Sequence, residues 1–175
     1  MKNTLYKALA IVALSISLFS CSNDDNNETV SGNGNITLKF DNAYGANDLI
    51  LNTQGNITSN NEVLKINLVK YIVSNVVFTK ADGTTFTYPK SKSYFIIKEQ
   101  TPSLFTIELT DVPAGNYKTV KFGIGVDQEQ FNLGAAGQGD FLAQAQSEGM
   151  MWSWSAGYKF LAFEGNFTSA TVTDP

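Results

Sequence analysis

Histidine is absent from this chain of 175 residues, and cysteine occurs once, at Cys21. Without imidazole, the chain cannot form a Ser-His-Asp triad, a Cys-His dyad or a histidine-ligated metal site from its own residues. A single cysteine also cannot form a disulfide within one chain. Because we find no pairing of a nucleophile with a base, we predict that the protein is not an enzyme.

A cluster of basic residues is also missing. The chain contains 12 Lys and Arg residues against 16 Asp and Glu residues, which gives a net charge of −4. Removal of residues 1–20 would take away Lys2 and Lys7 but no acidic residue, so the charge would fall to −6. Proteins bind nucleic acid largely by neutralising its phosphates. The sequence therefore predicts no nucleic-acid partner.

The longest apolar run, residues 8–19, is too short to cross a bilayer as a helix. It contains about a dozen residues, whereas a transmembrane helix needs about 20. Lys2 and Lys7 precede it and supply a short positive region. A positive start followed by an apolar run of this length is typical of a secretory signal peptide, which is removed from the mature protein.

The end of this segment resembles a bacterial lipobox. Leu18 lies three residues before Cys21, the small residue Ser20 lies directly before it, and Cys21 is the only cysteine of the chain. The resemblance implies that residues 1–20 are a lipoprotein signal peptide and that Cys21 carries the lipid. Two or more acyl chains make a stable anchor, so the membrane is the predicted partner of Cys21. An ordinary signal peptide with a chance cysteine is the alternative.

Residues 21–35 have almost no apolar side chains and are predicted to form a flexible acidic tether. The acidic stretch at residues 22–28 resembles the export signal of some surface-exposed lipoproteins of gram-negative bacteria. A plain solvated linker explains the same charges equally well. We predict an outer-membrane lipoprotein, which is surface-exposed if the acidic stretch is an export signal.

Residues 36–175 have the size of one domain. Short segments rich in β-branched and aromatic residues recur, with turn signals about every dozen residues; they are "NITLKFD", "VLKINLVKYIVSNVVFTK", "TTFTY", "SYFIIK", "SLFTIEL", "KTVKFGIGVD" and "YKFLAFEG". This pattern predicts an all-β fold, an antiparallel β-sandwich. The last segment is apolar on both faces, so we predict that it is a central buried strand.

A long connection interrupts the strands between residues 127 and 149. Residues 141–146 could form one or two helical turns, and a connection of this length is often functional. Its carboxylates, Asp127, Glu129 and Asp140, could perform acid–base chemistry or bind a hard cation such as calcium. Solvated loop acids are the simpler interpretation.

Both tryptophans of the chain follow this connection, next to two of its three methionines. The four residues are Met150, Met151, Trp152 and Trp154. If the segment is extended, Trp152 and Trp154 lie on one face, roughly 7 Å apart. Two neighbouring indoles can pack at the edge of a sandwich or form a flat platform for a ligand such as a glycan. The residues alone leave both interpretations open.

The segment "MMWSWSAGYKFLAFEG" resembles the signature of the MbnP-like copper-binding family. The family carries a run of the type Met-aromatic-Trp-x-Trp-x-x-Gly-Tyr-x-Phe-x-x-x-Glu-Gly. The residues in matching places are Met150 or Met151, Trp152, Trp154, Gly157, Tyr158, Phe160, Glu164 and Gly165. Upstream, "ITLKFDNAYGANDLIL", "VKYIVSNVVFTKADGT", "SYFII" and "LTDVPAGNYKTVKFGIGVD" are also similar to the family. The resemblance implies a secreted or surface β-sandwich linked to copper acquisition.

In related copper proteins of methane-oxidising bacteria, a tryptophan is oxidised to kynurenine and joins two histidines around copper. A dihaem peroxidase-like partner performs that oxidation. The resemblance therefore implies copper as a cofactor, a peroxidase-like partner, and Trp152 or Trp154 as the residue to be modified. It does not distinguish between the two tryptophans.

The chain departs from the family pattern in two respects. Family members with a copper site carry histidines before the tryptophan motif or in a later strand, but the loop "FNLGAAGQG" has none. The family domain also normally continues beyond the point that corresponds to Pro175. We therefore expect either a C-terminally incomplete domain over 36–175 or a divergent member. Without imidazole, Cu(I) could still use the thioethers of Met150 and Met151.

Three hypotheses follow for the function. The first is copper binding or copper handling, the second is recognition of a surface ligand such as a glycan by Trp152 and Trp154, and the third is a scaffold that has lost the metal.

Overall fold

The computed structural model describes residues 31–53 and 55–172. The predicted signal peptide, Cys21 and most of the tether lie outside the described residues. The strands are β1 Asn33–Lys39, β2 Ala43–Tyr44, β3 Asn47–Asp48, β4 Asn56–Ile57, β5 Val63–Lys80, β6 Thr85–Thr87, β7 Tyr94–Lys98, β8 Thr106–Pro113, β9 Tyr117–Ile124, β10 Met151–Ser153, β11 Gly157–Tyr158 and β12 Leu161–Thr168. The helices are α1 Gln128–Phe131, α2 Gly134–Gly137 and α3 Asp140–Ser147. None of the helices in the described part is long and apolar enough to span a membrane.

The centre of the fold is β5, a strand of 18 residues that pairs with every other strand of the main sheet. Its density of Val, Ile, Tyr and Phe favours the extended backbone. Tyr71 pairs with Ile97 of β7 and with Leu161 of β12, so these two strands lie on opposite edges of β5. Val73 pairs with β7 and with β9 in the same way. Strands β9 and β12 therefore follow one another along the same edge.

A two-stranded ribbon of β1 and β8 covers one face of the main sheet. The core between them holds side chains from both layers: Val73, Val76, Phe78, Tyr88, Ile97, Ile107, Leu109 and Val112. Inward apolar residues alternate with outward polar ones along residues 106–110 of β8, as a half-buried strand requires. The arrangement confirms the predicted all-β, antiparallel, sandwich-like fold.

The opposite face of the main sheet is covered by residues 126–160, which we call the helical layer. Its core contains Ile72 and Ile96 of the sheet together with Val126, Ala145, Met150, Tyr158 and Ala162. The helix predicted within 141–146 is confirmed as α3. The two four-residue helices α1 and α2 precede it, so the long connection is more ordered than its weak periodicity indicated.

The predicted burial of the last strand is wrong. Strand β12 pairs with β5 on one side only within the described residues, and most of its side chains are exposed. Ala162 packs into the helical layer, while Leu161, Phe163 and Phe167 lie open on the other face. A run that is apolar on both faces predicts a central strand, but this strand lies at an edge.

Candidate functional site

The tryptophans lie on a short hairpin that closes the helical layer, residues 151–158, which we call the tryptophan hairpin. Strands β10 and β11 pair antiparallel, and Trp154 lies in the turn between them. The Ser153 hydroxyl accepts a hydrogen bond from the N–H of Ala156 at 3.2 Å and holds the turn. Gly157 has φ of 81°, which a residue with a side chain rarely adopts. This backbone conformation explains why the motif has glycine at position 157.

Both indole rings reach solvent, and each has its own partner. Trp152 is 72% exposed, and the Nζ of Lys159 lies 4.5 Å from its ring centroid, a cation–π contact. Trp154 is 38% exposed and stacks on Phe131 with a centroid distance of 4.8 Å and an interplanar angle of 19°. Because β10 ends at Ser153, the strand alternation expected from the sequence does not extend to Trp154.

The two methionines point away from this surface. Met150 is completely buried, and it packs in the core of the helical layer with Ile72 and Tyr158. Its N–H donates to the carbonyl of Ala145 at 2.7 Å, which ties the hairpin to α3. Met151 is half-buried and packs against the same core. Met150 therefore does not share an accessible surface with the tryptophans.

Aromatic rings continue from the hairpin into a groove of about 200 Å³. Phe131 stacks on Trp154 and meets Tyr158 edge-on at 6.4 Å, and Phe160 also lines the groove. We call Phe131, Trp154, Tyr158 and Phe160 the aromatic shelf. No sequence pattern pointed to Phe131, because it lies 19 residues before Met150, where the motif begins.

Two residues of the motif, Phe160 and Gly165, lie where another segment approaches the backbone closely. Phe160 packs directly on the backbone of Gly125, where a Cβ would collide with the ring. A Cβ at Gly165 would collide with the carbonyl of Lys65 in β5, next to a register shift between β12 and β5. Only glycine permits these close approaches of backbone.

Asp127 fixes the start of the helical layer. Its carboxylate accepts hydrogen bonds from Asn75 Nδ2 at 2.9 Å, from Lys90 Nζ at 2.9 Å and from the Tyr94 hydroxyl at 2.8 Å. It also caps α1 by accepting from the N–H of Gln130 at 3.0 Å. Partial burial alone would raise the pKa of Asp127, but these four donors together hold it well below its ordinary value. Burial, together with the hydrogen bond to Asp127, raises the pKa of Tyr94 far above its usual range.

We expect Asp127→Asn to lower the unfolding free energy at pH 7 by about 2 kcal/mol, because it removes a charge-assisted cap with several donors. The pKa of Asp127 is depressed in the fold, so its contribution is present above the unfolded value of about 3.9 and is lost as the pH falls below it. Urea unfolding should therefore show a constant difference in unfolding free energy between the two proteins from pH 7 to about pH 5, and a difference that narrows as the pH falls from about 4 to about 2. The matched control is Asp140→Asn, at the exposed first residue of α3. An unchanged gap across that pH range would contradict the assignment.

A second set of ion pairs fixes the end of α3. Glu148, which follows α3, accepts from Lys70 Nζ at 2.9 Å and from Lys98 Nζ at 3.0 Å. Lys70 Nζ also donates to the backbone carbonyl of Glu148 at 2.5 Å. Hydrogen bonds from Lys70 and Lys98 lower the pKa of Glu148, against a smaller opposing effect of burial. The segment from Asp127 to Glu148, which contains the three helices, is thus bound to β5 and β7 at both of its ends.

The donor set of the described residues does not fit a resident copper ion. No group of three His, Cys, Asp or Glu side chains in the described part is arranged to hold a metal. The thioether of Met150 is sealed in the core, and Met151 packs towards the same core. Asp127 and Glu129 are both bound by Lys90, at 2.9 and 2.7 Å, so they form an ion-pair cluster rather than an open carboxylate site.

Comparison with known proteins identifies the family. A sequence model of the MbnP family matches residues 33–173. Among solved structures, the fold is similar to MbnP from Methylosinus trichosporium, with a TM-score of 0.52 and 12% sequence identity. The match covers 79% of this chain and 56% of that protein, so this chain spans little more than half of its length. None of the curated proteins matches the chain significantly. Because the family match extends over most of the sequence, the chain belongs to the MbnP family.

Proposed function

We propose that this chain is a lipid-anchored protein of the cell envelope that takes part in copper handling. The observation that carries the proposal is membership of the MbnP family over residues 33–173. The signal peptide and the lipobox-like end at Cys21 support the location. We expect the metal to bind at the tryptophan hairpin.

In this proposal, copper is a cargo that is bound transiently, not an ion held in a closed site. The described residues offer no closed set of donors, as shown by the buried Met150 and the paired carboxylates. The indole of Trp152 offers an exposed ring face, and that face already accepts the positive charge of Lys159 at 4.5 Å. A soft monovalent cation can interact with the same electron-rich face.

The test is an anaerobic titration with Cu(I) in the presence of a chromogenic Cu(I) chelator. The protein is the chain without residues 1–20 and with Cys21→Ser, because a free thiolate would itself bind Cu(I). Tryptophan fluorescence should be quenched to saturation, and Trp152→Phe should lose the response while Trp154→Phe keeps it. Zn²⁺ serves as the control ion and should leave the emission unchanged. Emission that does not respond to Cu(I) would contradict copper handling at this surface.

Recognition of a glycan is the second candidate, and the aromatic shelf favours it. Phe131, on which Trp154 stacks, lines an open groove together with residues 155–157. Sugar rings bind to exposed aromatic faces of this kind by stacking their apolar side on them. In Trp152→Phe, a soluble polysaccharide should then shift the emission of Trp154. A response to polysaccharide without one to Cu(I) would replace the first proposal, and no response to either would leave a scaffold without these ligands.

A further inference from the structure

One edge of the main sheet is made of two eight-residue strands placed end to end, β9 and β12. Ile124 of β9 lies opposite Val73, and Leu161 of β12 lies opposite Tyr71. At the junction, the N–H of Ile72 donates to the carbonyl of Phe160, and its carbonyl accepts from Gly125. Within the described residues, neither β9 nor β12 pairs with a strand other than β5. We call this row of strands the free edge.

The free edge carries large apolar side chains that are open to solvent. They are Val120, Phe122 and Ile124 on β9 and Leu161, Phe163 and Phe167 on β12, and each is between 39% and 57% exposed. Long, apolar, unpaired edges readily pair with another strand, and natural proteins usually protect them with charges, proline or a covering segment. A continuous exposed apolar strip of this kind marks an interaction surface.

The two halves of the free edge are complementary to each other. If a second copy is rotated by a two-fold axis through the junction, residues 119–124 of one copy run antiparallel to residues 161–166 of the other. Residues opposite each other then lie on the same face of the joined sheet. On the apolar face, Ile124 meets Leu161 and Phe122 meets Phe163 of the second copy. Val120 meets Gly165, where the missing side chain leaves room.

The charges on the other face match in the same register. Lys121 and Glu164 are both exposed, and the two-fold axis places each one opposite the other in the second copy. Unlike charges directly opposite each other stabilise a pair of antiparallel strands, whereas like charges destabilise it. Because the axis repeats the contact, one dimer contains two such pairs.

We propose that the free edge binds a second copy of this chain, which gives a two-fold dimer with a continuous sheet across the interface. In one and the same register, apolar residues lie opposite apolar residues and Lys121 lies opposite Glu164. This match indicates that the occupant is a second copy. This inference does not depend on copper, because the tryptophan hairpin lies on the helical layer and not on the free edge.

Analytical ultracentrifugation tests the register through a charge swap. The chain without residues 1–20 and with Cys21→Ser should show a monomer–dimer equilibrium. Lys121→Glu or Glu164→Lys alone should weaken dimerisation about tenfold or more, because two like-charge contacts replace two ion pairs. The double variant should restore it. Lys92→Glu, an equal change of charge away from the free edge, is the matched control and should have little effect.

Cross-linking provides a second readout that does not depend on affinity. In the Cys21→Ser background, Phe122→Cys and Phe163→Cys are combined, and strand spacing separates these positions by more than about 20 Å within one chain. Mild oxidation should therefore give a covalent dimer, whereas the pair Thr119→Cys and Phe163→Cys, which is out of register, should not. A monomer at every concentration, or single charge variants that the double variant does not rescue, would overturn the proposal. Either result would leave the free edge to another segment or another protein.

Discussion

Glu148→Ala is expected to lower the unfolding free energy by about 3 kcal/mol. The substitution leaves the ammonium of Lys70 without its carboxylate, although the Lys70 side chain is only 10% exposed. Removal of one partner of a buried ion pair is costly because the remaining charge stays poorly solvated. Lys98 loses the same partner, at 3.0 Å. Since this cluster joins α3 to β5 and β7, the end of α3 should loosen.

Urea unfolding followed by circular dichroism measures the loss, and Glu129→Ala is the matched control. Glu129 also pairs with a lysine, Lys90 at 2.7 Å, but its side chain is 86% exposed. Exposed ion pairs contribute at most about 1 kcal/mol, so the control should be close to the parent protein. Equal and small losses in Glu148→Ala and Glu129→Ala would show that the Glu148 cluster does not hold the layer.

Met150→Ala is expected to lower the unfolding free energy by about 3 to 4 kcal/mol. Met150 is fully buried between the main sheet and α3, and a large-to-small change there removes packing and leaves a cavity. The residue directly precedes the tryptophan hairpin, so the hairpin should lose its fixed position on the helical layer. Trp154 should then leave its stack on Phe131, which lies 4.8 Å away.

The matched control is the neighbouring Met151→Ala. Met151 is half-buried, so its truncation should cost about 1 to 2 kcal/mol, less than that of Met150. Urea unfolding gives the two values, and quenching of tryptophan by acrylamide in native buffer reports on the hairpin. Equal losses in the two variants, with equal quenching, would mean that Met150 is not the packing point of the hairpin.

Local patterns predicted the strands of this fold well. The segments "NITLKFD", "VLKINLVKYIVSNVVFTK" and "TTFTY", which are rich in β-branched and aromatic residues, predicted β1, β5 and β6. These signals are local, and each arises from the preferences of a few neighbouring residues. The family motif marked the tryptophan segment but not its hairpin, and two glycines of the motif, Gly157 and Gly165, meet backbone requirements that the fold imposes.

The contacts between distant segments could not be predicted from such patterns. Phe131 under Trp154, Lys159 over Trp152 and Lys70 beside Glu148 depend on how the helical layer lies on the sheet. The capping role of Asp127 had a local signal, since an aspartate before a short helical run is a typical N-cap. No local sequence signal indicates the contacts of Asp127 with Asn75, Lys90 and Tyr94, because these three residues come from other strands and turns.

The position of β12 shows the limit of hydrophobic pattern more generally. Its sequence is apolar on both faces, which is typical of a central strand, yet the strand lies at the free edge. A hydrophobic pattern indicates which side chains are buried from water. It does not indicate whether they are buried within one chain or against another molecule. The proposed dimer would reconcile the sequence of β12 with its place in the sheet.

The most direct test of the proposed function is the Cu(I) titration of the two single-tryptophan variants, read by fluorescence. If the exposed face of Trp152 meets the metal, Trp154→Phe will be quenched to saturation by Cu(I), and Trp152→Phe will not respond. Equal behaviour of the two variants, whether both respond or neither does, would contradict the assignment of metal recognition to Trp152.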